Sequence, residues 1–93
     1  IDTGVSGKVA DAIGQKIHSI ASNNQVLCIT HLPQVAIHAD HHYAIKKQTQ
    51  DEETYSSLAV LDEDERIEEI AKMLSGDVIT LEAIENAKRL LQG

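Results

Sequence analysis

The chain has 93 residues, 42% of them hydrophobic, with Tyr43 and Tyr55 its two aromatic side chains and no Trp or Phe. That bounds it to one small domain with an aliphatic core, of a size at which self-sufficient burial is marginal. The formal net charge of −7, with acids gathered at 51–53 and 62–69, repels phosphate backbones and argues against direct nucleic-acid binding by this segment.

No run approaches the roughly 18 apolar residues that suggest a membrane helix. The opening Ile1-Asp2-Thr3-Gly4 has neither an initiating Met nor the basic and apolar regions of a signal peptide. It reads as the interior of a longer chain. The single Cys28 lies in an apolar run and is expected to be a buried, inert thiol. One cysteine allows no disulfide within the chain, in keeping with a reducing compartment.

Ser6 can cap a helix over about 7–22, in which Val9, Ile13, Ile17 and Ile20 make an apolar stripe. Asn23-Asn24 suits the helix end, because asparagine tolerates a left-handed turn. The unbroken apolar run Val26–Ile29 then predicts a strand over 25–30, covered on both faces as in a parallel α/β sheet. Pro33 suits a first helical position, and a short helix is expected to about Ala39.

Residues 41–47, with Tyr43 and Ile45 in alternation, and 55–61, with Leu58 and Val60, predict a hairpin closed by a loose acidic loop over 48–53. From Asp62 the period returns to helical. Ile67, Ile70, Ala71 and Leu74 form a stripe behind an acidic first turn, and Gly76 ends it. Thr80 caps a last helix carrying Leu81, Ile84, Ala87, Leu90 and Leu91. The expected order is α-β-α-β-β-α-α, an α/β class.

Several constellations could carry chemistry. Gly4-Val-Ser-Gly7-Lys8 is not a phosphate loop, since two residues rather than four separate the glycines and Val9 follows the lysine. Gly4 and Gly7 still permit tight turning before a helix N-terminus, where free N–H groups favour anions or a partner's polar groups. His31, at the carboxyl end of the expected strand, stands where α/β sheets collect ligands. It could donate to a phosphate oxygen or hold an attacking water; equally it could be tucked against a neighbouring strand with its ring nitrogens satisfied. His38, Asp40, His41 and His42 carry zinc-ligand chemistry, but His41 and His42 are adjacent and point apart in a strand. A polar helix-to-strand turn explains them as well. His18 is expected to face solvent. No Ser-His-Asp arrangement can be placed.

Taken together, Asp2-Thr-Gly-Val-Ser-Gly7, Ile29-Thr-His-Leu-Pro-Gln34, Ala39-Asp-His-His-Tyr43, Leu61-Asp and Arg66-Ile-x-Glu-Ile-Ala-x-Met-Leu form a pattern. It resembles the C-terminal part of the bacterial RecN family of DNA repair proteins, SMC-like relatives of the ABC-type ATPases. The resemblance spans essentially the whole chain. It implies that residues 1–93 are one segment of an ATPase head, a P-loop NTPase fold whose sheet is incomplete without upstream strands.

On that resemblance Asp2 to Gly7 match the D-loop, with Asp2 and Ser6 for polar contacts and Gly4 and Gly7 for backbone shape. His31 matches the switch histidine that approaches the γ-phosphate; Gln34 fits the pattern without an assigned role. ATP and Mg2+ are implied for the full-length protein, with none bound by this segment, because the Walker A loop, the Walker B acids and the signature motif are absent. The implied partners are the remainder of the head, a second head by dimerisation, and DNA through the full-length protein. No membrane is implied, and the location would be the cytoplasm, at the nucleoid. Without its sheet neighbours the strand at 25–30 would have two bare edges. Local rearrangement, different pairing or association through that edge is then expected. A non-enzymatic acidic α/β protein-interaction module is the alternative, and a small metal-binding domain built on His38, Asp40 and His41 or His42 a weaker third.

Overall fold

A computed structural model describes residues 6–76 and 78–93. The elements run α1 (Gly7–Ala21), α2 (Pro33–Ala36), β1 (Tyr43–Gln50), β2 (Glu53–Val60), α3 (Glu63–Ser75) and α4 (Leu81–Gln92). The chain is α/β, but its order is α-α-β-β-α-α among the described residues. α1 packs on α2, α2 on α3 and α3 on α4, while β1 and β2 pair only with each other.

Three of the helices are set by local chemistry. Ser6 and Thr80 each accept a backbone N–H three residues on, from Val9 and Ala83. Asp62 and Glu65 form a reciprocal capping box: the Asp62 carboxylate accepts the Glu65 N–H at 2.8 Å, and the Glu65 carboxylate accepts the Asp62 N–H at 3.0 Å. Gly76 ends α3 at φ +83°, a conformation that costs a side-chain-bearing residue. The core lies where α3 meets α4 and α2. Ala36, Ile70, Ala71, Ala83 and Ala87 are buried there, with Ile37, Ile67, Met73, Leu74, Ile84 and Leu91 packed around them. Small alanines on facing helices let the backbones approach, and Ile70, fully buried, supplies the largest side chain. Its burial contributes about 1.5–3 kcal/mol.

The hairpin forms as the alternation predicts, with Tyr43 opposite Val60 and Ile45 opposite Leu58. Its loop is tighter than expected. Asp51 and Glu52 alone make the turn, both at positive φ (53° and 65°), the backbone twist that matches paired strands.

Four expectations are corrected. Residues 25–30 form no strand: the stretch runs without a sheet partner, and Leu27 and Ile29 are 86% and 85% exposed. A strand exists only as part of a ladder, and no neighbouring strand reaches this one. Among the described residues the stretch pairs with no other strand. Cys28, for the same reason, is exposed rather than buried. The short second helix ends at Ala36 and not near Ala39. Finally, the stripe Val9–Ile20 does not form the packed face of α1; Val9 and Ile20 are exposed, and the buried residues are Ala10 and Gly14. The face that docks is the small one, because only it admits α2 closely.

Candidate functional site

The two sequence motifs that carry chemistry meet along the α1–α2 contact. At the entry to α1 the Ser6 hydroxyl accepts the Val9 N–H at 3.3 Å and the Ser6 carbonyl accepts the Ala10 N–H at 2.9 Å. Helix geometry leaves the Gly7 and Lys8 N–H groups without an intrahelical acceptor. Ser6, Gly7 and Lys8 are all exposed.

His31 sits at the bend between the irregular stretch 25–30 and α2, and is exposed. The bend has a local cause. The Thr30 hydroxyl accepts the Leu32 N–H at 3.0 Å, and Leu32 keeps the extended conformation (φ −99°, ψ 119°) that a following proline demands. Pro33 then opens α2 as its first residue and is buried. His31 is therefore open to solvent at the mouth of α2, not packed among aliphatic side chains.

Gln34, three residues on, joins the two motifs. A Cβ placed on Gly7 would lie 3.7 Å from the Gln34 side-chain amide nitrogen, an ordinary contact distance. The helix entry at Ser6–Gly7 and the helix following His31 are thus in touch. Asp2 and Gly4 lie outside the described residues.

Deeper along the contact, His38 Nε2 lies 2.7 Å from Asp11 Oδ1, and Gln15 donates to the other oxygen of Asp11 at 2.8 Å. The His38 hydrogen bond chiefly holds the Asp11 carboxyl below its ordinary range; desolvation opposes it, and the Gln15 hydrogen bond adds a smaller lowering. Gly14 lies between: a Cβ there would meet His38 Cδ2 at 2.4 Å and the Gln34 carbonyl oxygen at 3.1 Å. One helical turn further, His18 Nε2 lies 3.1 Å from Asp40 Oδ1. His18 is exposed, as expected, but partnered.

The histidine-rich run is dispersed by these contacts. His38 turns to Asp11 and Asp40 to His18, while His41 is exposed. Among the described residues no three metal-ligating side chains gather. His42 and Arg66 instead line a cleft of about 280 Å³ with Asp40, His41, Val60, Leu61, Asp62 and Glu63. Burial and the nearby Arg66 guanidinium push the His42 imidazole below its ordinary value, partly offset by Glu69. Arg66 donates through Nη2 to the carbonyls of Ala36, Ile37 and Ala39 at 3.2, 3.0 and 2.8 Å, satisfying the open end of α2.

Sequence reasoning missed both histidine–aspartate pairs and the Arg66 cap. The available signal was the spacing of Asp11, Gly14 and His18, which places one acid, one glycine and one base on a single face of α1.

No family model matches the chain. The chain is 48% identical over 92 residues to the DNA repair protein RecN of Xylella fastidiosa, covering 99% of this chain and 16% of that relative. The RecN of Bacillus subtilis is 47% identical over 92 residues, with the same coverage of both. The Deinococcus radiodurans RecN is 44% identical over 93 residues, covering 100% of this chain and 16% of the relative. The chain matches the C-terminal segment of RecN. The match to RecN runs through both motifs above, from before Ser6 to beyond α4, since 92 of 93 residues align. The chain spans 16% of the length of these RecN relatives. No helix among the described residues is long and apolar enough to cross a membrane.

Proposed function

We propose that this sequence closes an SMC-like, ABC-type ATPase head that serves recombinational repair of DNA double-strand breaks. The RecN match supports the repair role. The observation that carries the ATP-site reading is the contact of Gln34 with Gly7, which brings the Ser6–Gly7 helix entry to the segment bearing an exposed His31.

In this reading Asp2, Gly4, Ser6 and Gly7 make the D-loop. Ser6 and the unpaired N–H groups of the first turn of α1 are donors for polar or anionic groups across a head–head interface. His31 donates a hydrogen bond to the terminal phosphate, where negative charge is redistributed as the phosphoryl group transfers. ATP with Mg2+, when bound, supplies the transferable phosphoryl group. The residues here suit one flank of it, and the phosphate cradle and magnesium ligands would come from the Walker A and Walker B segments of the full-length protein. The isolated sequence would therefore neither bind ATP tightly nor hydrolyse it. The bare stretch 25–30 would complete its ladder with strands from the remainder of the head. A second head would complete the site, and DNA would be held by other parts of the protein, in the cytoplasm at the nucleoid.

A second reading, a non-enzymatic acidic protein-interaction module, draws support from the hairpin. Its cross-strand pairs Tyr43–Val60 and Ile45–Leu58 expose apolar side chains on one face. One experiment separates the two. A full-length RecN carrying this sequence in place of its matching segment is assayed for ATP turnover with and without His31→Ala. A fall in turnover of about a hundredfold or more is expected from losing one aimed donor. Unchanged turnover would leave the interaction module as the reading.

A further inference from the structure

We infer that Asp11 and His38 are positioning residues of this same site: they lock the helix that begins at Ser6–Gly7 to the helix that follows His31. The inference rests on the ATP-site reading above.

Among the described residues, α1 makes two side-chain hydrogen bonds to the rest of the chain, Asp11–His38 and His18–Asp40. The first is the shorter and the better enclosed. Asp11 is held on its other oxygen by Gln15, so the carboxylate cannot turn away without losing a second partner. Gly14 lets the His38 ring lie directly on the helix, and any side chain there would displace it. At its far end α2 is fixed to α3 by Arg66 through three carbonyls. One residue, Leu32, separates His31 from α2. The helix entry and the imidazole are therefore tied, through α2, to one rigid support. Asp11 and His38 are partnered with each other, so they are assigned a positioning and not a catalytic role. Their contribution is geometric, and a misplacement of about 1 Å in such a constellation costs on the order of a hundredfold in rate.

The test uses full-length RecN carrying this sequence in place of its matching segment. Asp11→Asn and His38→Ala are each expected to lower kcat about tenfold to a hundredfold while leaving KM for ATP and the thermal midpoint nearly unchanged. Exchanging the partners (Asp11→His with His38→Asp) restores the hydrogen bond and is expected to recover most of kcat. A purely structural pair would lower the midpoint and kcat together and would not separate kcat from KM. Unchanged kcat in both single variants overturns the inference, as does a loss that tracks the thermal midpoint and is not recovered by the exchange. His31→Ala, run alongside, distinguishes the two failures. If it too leaves turnover unchanged, the ATP-site reading falls. If it abolishes turnover while the Asp11 and His38 variants do not, only the positioning role falls.

Discussion

The His38 ring lies across Gly14, so close that a Cβ on the glycine would fall 2.4 Å from His38 Cδ2. Alanine in place of a helical glycine ordinarily stabilises a helix by up to about 1 kcal/mol. Here the contact reverses the sign. The His38 ring and the Gln34 carbonyl oxygen cannot both give way without lifting α2 from α1. Gly14→Ala is expected to destabilise the chain by about 1–3 kcal/mol, read from urea unfolding. A stabilised variant would show that the helices are not packed in this way.

Arg66 supplies a donor to the carbonyls at the end of α2. Arg66→Met keeps most of the stem and removes the donor to three carbonyls, of which that of Ala36 still accepts the Ala39 N–H. A loss of about 1.5–3 kcal/mol is expected, the range for a hydrogen-bonding charged group. Arg66→Lys should recover only part of it, because the lysine ammonium is more strongly hydrated than the guanidinium and costs more to desolvate beside these carbonyls. Equal stability of the lysine variant and the native chain would contradict the geometry.

His42 sets a pH dependence. Its folded-state pKa is depressed, so the unfolded chain takes up a proton more readily than the folded one. Stability from this group is then fully present above the ordinary histidine value of 6.5 and is lost as pH falls through the lower folded value. Asp11, also depressed, adds a second loss only in more acid solution, below the ordinary carboxylate value of 3.8. Urea midpoints at pH 7.5 and 5.5 should therefore differ, and His42→Gln should flatten the difference. The same slope in the variant would assign it elsewhere.

Leu27 and Ile29 stand exposed on an irregular stretch with no sheet partner among the described residues. Such an unpaired stretch recruits another chain. The 93-residue chain is expected to associate in a concentration-dependent way, and Leu27→Lys with Ile29→Lys to abolish the association, both read by sedimentation velocity. A native chain that stays monomeric at high concentration would sink the expectation.

The elements legible from sequence are those whose cause is local. Ser6 and Thr80 cap where expected, Gly76 stops α3, and alternation foretells the hairpin. What escaped depends on distant partners. Val26–Ile29 has strand composition, but a strand is a property of a pair, and no segment among the described residues pairs with it. The apolar stripe of α1 is real; Val9 and Ile20 are exposed because nothing in residues 6–93 covers them. Asp11 and His38 are 27 residues apart, so no periodicity links them, and the glycine that admits the contact reads in sequence as a helix weakness. At the candidate site the motifs singled out His31 and Ser6 as candidates, whereas the approach of their segments through Gln34 and Gly7 required the packed helices.

The two histidine–aspartate pairs also run in opposite senses. α1 contributes the acid to one and the base to the other, and Gly14 leaves room for the neighbouring ring at only one level between them. Turned end for end, the helix would set imidazole against imidazole and carboxylate against carboxylate. The joint accepts α1 in a single direction and at a single height, much as a key with cuts on both edges fits only one way round.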